Sequence, residues 1–141
     1  MMFRLDQVIG WQVGDSEGDE VKITVDMHYL PTLSVNRYKT ALGITRHEVK
    51  DWMGQLAWVV QWALEISMKP PIKVRVEGEF KNKRSTPDLH NLHKVICDAV
   101  QDGLLIDDKH FQVEDGVSGI ADPPRLRITI KGRVTGQDRG G

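Results

Sequence analysis

Between Arg84 and Asp108 the chain reads RSTPDLHNLHKVICDAVQDGLLIDD, a stretch dense in carboxylates, imidazoles and basic groups. Asp88 comes just after a basic loop, KNKRST, that holds Lys81, Lys83 and Arg84, with Pro87 between them. His90 and Lys94 come next, and a paired Asp107–Asp108 closes the stretch. Carboxylates brought together repel, and their pKa values rise unless a cation sits among them. Carboxylate oxygens suit Mg²⁺ or Mn²⁺, which bind through one or two acids and take the remaining ligands from phosphate and water. A metal so held would position a scissile phosphate and activate water, while the basic loop gripped the flanking backbone. The competing reading is a solvated helix end, because an Asp in a first helical turn is already favoured by the helix dipole. The residues alone leave both readings open.

The elements that must position these groups follow from periodicity. Val21, Ile23, Val25 and Met27 alternate with polar residues, as do Ile72, Val74 and Val76, then Phe111 and Val113, then Leu126, Ile128 and Ile130. Period two with β-branched residues predicts half-buried strands. An edge strand is expected within Met1 to Val13, from Val8, Ile9, Trp11 and Val13. Thr45 with Glu48 has the spacing of a capping box, and a long helix is expected from Arg46 to Met68, stopped by Pro70 and Pro71. Its second half is apolar around most of its circumference, so Trp58 and Trp62 belong either to the core or to a dimer interface. A second helix should be capped by Ser85 or Thr86, with Pro87 at its first position and Gly103 as its stop. At 100° per residue, Leu89, Leu92, Val95, Ile96, Ala99 and Val100 share one arc, opposite His90, Lys94, Cys97, Asp98 and Gln101. Four or five amphipathic strands with two helices, not strictly interleaved, predict an α+β fold with a small mixed sheet.

At 141 residues the chain has the length of one domain. Nineteen Lys and Arg against twenty Asp and Glu give a net charge of −1, which excludes a generally basic, histone-like protein. A single cysteine, Cys97, excludes an internal disulfide and a four-cysteine zinc site. No apolar run approaches ~18 residues, and Arg4 and Asp6 stand where a signal peptide would be apolar, so a cytoplasmic protein with no membrane contact is expected.

PDLHNLHK, then DAV, then GLLIDD resembles the RusA family of Holliday-junction resolvases: Asp-x-Asp-Asn-(two residues)-Lys, an Asp-Ala pair, and a hydrophobic run ending in Asp-Asp. The likeness runs upstream through the LPTLSVNRY loop, covering roughly Val21 to Lys131. It implies an extension at 1–20 and a RusA-like endonuclease domain at 21–133, while VTGQDRGG after Arg133 has nothing to bury, so a flexible tail is expected at 134–141. It also implies a homodimeric, Mg²⁺- or Mn²⁺-dependent nuclease that nicks opposed strands of four-way DNA junctions. Carried over residue by residue, the likeness makes Asp88, Lys94 and Asp108 catalytic, with Asn91 and Asp107 supporting them. One position departs from the family pattern, where His90 replaces its second aspartate. With His90 the expected metal set is Asp88, His90 and Asp108, and imidazole suits Mn²⁺ better than Mg²⁺. The alternative is a dimeric junction-binding protein with weak or no nuclease activity. Expected DNA contacts are Arg37, Lys73, Arg75, Lys81, Lys83 and Arg84, with Arg125, Arg127 and Lys131 extending the track if their faces adjoin the loop.

Overall fold

A computed structural model describes residues 4–15, 18–63 and 68–134. Five strands, β1 (Val8–Asp15), β2 (Glu20–His28), β3 (Met68–Phe80), β4 (Phe111–Ile120) and β5 (Arg125–Val134), form one mixed sheet in the order β1-β2-β5-β3-β4. The pairings are antiparallel except for β3 with β4, which is parallel. Two helices, α1 (His47–Ala63) and α2 (His93–Leu104), pack on each other over one face of this sheet. A parallel pair needs a crossover, and α2 supplies it between β3 and β4. The expected α+β class and the edge position of the first strand both hold.

The core follows the period-two pattern. Ile23, Val25 and Met27 of β2, Ile72, Val74 and Val76 of β3, and Leu126, Ile128 and Ile130 of β5 are fully buried under the helices. From α1 they meet Val49, Trp52, Leu56 and Val59, and from α2 Val95, Ile96, Ala99 and Val100. The Trp52 indole N–H donates to the His28 carbonyl at 2.8 Å, which ties α1 to the end of β2. Segment 8–15 is joined to the sheet through its register with β2 and forms one of its two edge strands. Of the expected tail, 134–141, Val134 is the last residue of β5 and its N–H donates to the Asp19 carbonyl at 2.7 Å, while residues 135–141 lie outside the described residues.

Several boundaries differ from expectation. The first helix starts at His47, and Thr45 instead bridges Lys39 in the preceding loop. Pro70 and Pro71 belong to β3, where the register against β5 shifts between Lys69 and Lys73. A residue without an N–H is tolerated where no ladder bond is needed. Trp62 is 64% exposed and Trp58 half-buried, so neither is a fully buried core residue. Gly103 does not stop the second helix. It lies buried within α2, where an added Cβ would stand 2.8 Å from the Ala57 carbonyl oxygen and from Val60 Cβ.

Gly103→Ala should therefore destabilise the fold by about 1–3 kcal/mol through overpacking of α1 against α2. Gly54→Ala, at an exposed α1 position with open space around it, should gain about 0.5–1 kcal/mol. Urea unfolding of both variants checks this; equal midpoints would contradict the close helix contact.

Candidate functional site

The start of the α2 segment is built by Asp88. Its Oδ1 accepts the His90 backbone N–H at 3.0 Å and caps a short 3-10 turn, Leu89–Leu92, that leads into α2. The expected caps, Ser85 and Thr86, instead turn back on Asn82, through backbone N–H to Oδ1 at 2.8 Å and hydroxyl to carbonyl at 2.9 Å. The predicted apolar arc of Leu89, Leu92, Val95, Ile96, Ala99 and Val100 is buried throughout. That burial forces Lys94, Asp98 and Gln101 onto the outward flank, since i, i+4 and i+7 share a face.

Along this flank Lys94 Nζ meets Asp98 Oδ2 at 3.3 Å. The hydrogen bond to Asp98 and its charge hold the ammonium above the ordinary lysine pKa, and Tyr38 and Asp108 lie close enough to add to the effect. Asp108 is brought there by a reversal of the chain. Leu105 adopts the left-handed conformation at φ 59°, and the Asp108 backbone N–H donates to Gln101 Oε1 at 2.9 Å. The run Leu104–Ile106, buried-looking in the sequence, is opened by this turn, leaving Leu105 83% exposed. Asp107 caps the next 3-10 turn by accepting the Lys109 N–H at 2.9 Å, and that bond holds its carboxyl below the usual range.

The polar loop before α1 docks on the same segment. Val35 N–H donates to the Asn91 carbonyl at 2.8 Å, and the Arg46 side chain and backbone hold the carbonyls of Arg37 and Tyr38 at 2.7 and 2.8 Å. Arg37, Lys81 and Arg84 thereby line one cavity of about 530 Å³, together with Tyr29, Phe80 and Pro87. Pro87 is the residue before Asp88, so a cationic groove opens next to the first acid of the motif. Lys83 is exposed in the same loop. Lys73 and Arg75 stand apart. They project from the sheet face opposite the helices, with Arg125, Arg127 and Lys131, and Lys73 lies seven residues of strand, roughly 23 Å, before Phe80. Lys73, Arg75, Arg127 and Lys131 line a different cavity from Arg37, Lys81 and Arg84.

His90 turns toward His93, with ring centroids 4.8 Å apart and edge-on. His93 Nε2 in turn pairs with Asp115 Oδ1 on β4 at 2.6 Å. Among the described residues, no three His, Cys, Asp or Glu side chains form a group that could hold a metal ion. The set Asp88, His90 and Asp108 is therefore not gathered into a ready three-ligand cage. The donors that remain fit a hard cation of the Mg²⁺ kind, which needs only one or two carboxylates and completes its shell with water and phosphate. Gln101, Tyr38 and the His93–Asp115 pair were not singled out by sequence reasoning. Gln101 does sit on the predicted polar arc, one helical turn beyond Cys97 and two beyond Lys94, and that is the available signal.

An exposed lysine braced by an acid, a second acid beside it and a neighbouring cationic groove are the parts of a site that handles phosphodiesters. The family model for endodeoxyribonuclease RusA matches residues 28–131, most of the chain. The chain belongs to this family of metal-dependent Holliday-junction endodeoxyribonucleases. A search of curated proteins finds no match.

Cys97, placed on the polar arc by periodicity, is buried, and burial together with the charges of Asp108 and Asp98 pushes its thiol up to about 11. The thiolate is the reactive form and is scarce well below that value. Native protein at pH 8 should therefore resist iodoacetamide while unfolded protein reacts readily, as read by mass spectrometry. Rapid labelling of the native state would contradict this packing.

Proposed function

We propose that the outward flank of α2 is the cutting site of a structure-selective nuclease on four-way junctions, with Asp88, Lys94 and Asp108 as its catalytic groups. The observation that carries this reading is the placement of Lys94, paired to Asp98 with Asp108 close by, on a flank next to a groove lined by Arg37, Lys81 and Arg84. Arg37, Lys81, Lys83 and Arg84 hold the DNA backbone there by charge. Lys94 stays protonated through the neutral range and donates to the phosphate or the leaving oxygen as negative charge builds on it. Asp98 is a positioning residue for Lys94. Asp88 and Asp108 are the residues that would hold the metal, Mg²⁺ or Mn²⁺, with Asn91 and Asp107 in support. When bound, that ion supplies a Lewis acid and an activated water. His90, whose ring lies edge-on to His93, would add an imidazole nitrogen to the set of Asp88 and Asp108.

We further propose that the active form is a homodimer working in the cytoplasm, because two opposed phosphates of a junction call for two sites related by a twofold axis. Ile9, Trp11 and Val13 of the edge strand β1 and Trp62 of α1 are exposed apolar groups suited to such an interface. No helix among the described residues is long and apolar enough to cross a membrane. The second reading, a junction binder that does not cut, is favoured by the ungathered acids and by His90.

A synthetic four-way junction and a matched duplex, each incubated with Mg²⁺ and with Mn²⁺, separate the two readings. Paired nicks confined to the junction support cutting, and a shifted but uncut junction supports binding alone. Lys94→Ala should lower the nicking rate about 10²–10³-fold with junction affinity nearly unchanged, the cost of one lost transition-state donor. Equal losses in affinity and rate would place Lys94 among the binding groups instead.

A further inference from the structure

The sheet face away from the helices carries ordered rows of side chains, because residues paired across strands point the same way. The row Asp26–Arg127–Glu77 is self-neutralising, with Arg127 Nε on Asp26 Oδ1 at 2.8 Å. Its neighbour His28–Arg125–Glu79 is closed by Arg125 Nε on Glu79 Oε1 at 2.7 Å. In the row Thr24–Thr129–Arg75, the arginine meets Glu114 on β4 at 3.3 Å. The next row is different. Lys22 pairs with Lys131, and Lys131 pairs with Lys73, so three lysines stand side by side across β2, β5 and β3. None of the three takes part in an ion pair among the described residues. Of the acids around the row, Glu20 stands opposite Arg133 in register and Asp19 lies 3.5 Å from Arg133, while Glu114, which lines the same cavity as the lysines, pairs with Arg75. Glu77, also in that cavity, shares its row with Arg127.

Like charges directly opposite one another destabilise a sheet, so such a row has a physical use when an anion covers it. With strands ~4.8 Å apart, the row spans roughly 10 Å, the width of a few backbone phosphates rather than one ion. The three lysines open into a shallow cavity of about 720 Å³ that also presents the Thr24 and Thr129 hydroxyls, and among the described residues its one apolar lining residue is Val113. Small-molecule pockets are lined mostly by apolar and aromatic groups, whereas DNA-binding surfaces are polar and positively charged.

We infer that Lys22, Lys131 and Lys73 form a second DNA-backbone contact, separate from the groove beside Asp88, that takes the phosphates of a duplex arm. The inference rests on the junction-nuclease reading for its choice of occupant. Lys22 lies ahead of the matched family span, whereas Lys73 and Lys131 lie within it.

The test is equilibrium binding of a labelled four-way junction in EDTA between 50 and 200 mM salt. Wild type is compared with the triple variant Lys22→Gln, Lys73→Gln, Lys131→Gln and with the triple Lys→Arg variant. Each phosphate contact contributes about 0.9 to the slope of log affinity against log salt, so three contacts account for about 40-fold of the wild-type loss over that range. The Gln variant should lack that 40-fold sensitivity, the Arg variant should keep it, and inorganic tripolyphosphate should compete only weakly. An unchanged slope in the Gln variant overturns the inference, as does an altered oligomeric mass in sedimentation with no change in slope. Saturation by micromolar tripolyphosphate without effect on DNA binding would make the row a small-anion site and overturn it too. Nicking by the wild type in added metal, measured in parallel, reports on the nuclease reading separately.

Discussion

The bond from the Asp108 backbone N–H to the Gln101 side chain decides where the last acid of the motif lies. Without it, a chain leaving α2 at Leu104 toward β4 could carry its two aspartates past the end of the helix and away from Lys94. The left-handed Leu105 turns the backbone, Gln101 catches it, and the Asp108 charge then bears on both Lys94 and Cys97. That arrangement is possible only because the opposite arc of α2 is wholly buried, which fixes the rotation of the helix about its axis. Packing in the core and chemistry at the surface are two faces of one helix.

Much of this was legible in the sequence. The apolar arc of α2 could be read because 3.6-residue periodicity is enforced by burial along the whole helix. The strands could be read because their buried and exposed residues alternate through β2, β3 and β5. What could not be read depends on partners distant in the chain. Gly103 looks like a helix stop until α1 is seen to press against it. Pro70 and Pro71 look like helix breakers until a register shift against β5 leaves them room inside a strand. Asp88, rather than Ser85 or Thr86, caps the turn, because the latter two are already committed to Asn82. The motif's residue types were evident, but the spacing could not show that His90 would face His93 while Asp108 returned toward Lys94.

The charges show a similar division between local rule and tertiary outcome. Alternation along β3 and β5 correctly put Lys73, Arg75, Arg125, Arg127 and Lys131 on one face. It could not show that Asp26, Glu79 and Glu114 would neutralise the three arginines and leave the lysines unpaired. A net charge of −1 therefore conceals two separated cationic regions, one beside the acids of the motif and one on the far side of the sheet.

In the proposed cutting site, the acids at the two ends of the α2 segment act on one divalent ion at the phosphate beside Lys94. Paramagnetic broadening by Mn²⁺ tests this most directly, followed by amide NMR in complex with a junction carrying a non-hydrolysable linkage. The amides around Asp88, Lys94 and Asp108 should broaden together at the same low Mn²⁺ concentration. Broadening at Asp107–Asp108 alone, with Asp88 and Lys94 untouched at saturation, would contradict a shared ion.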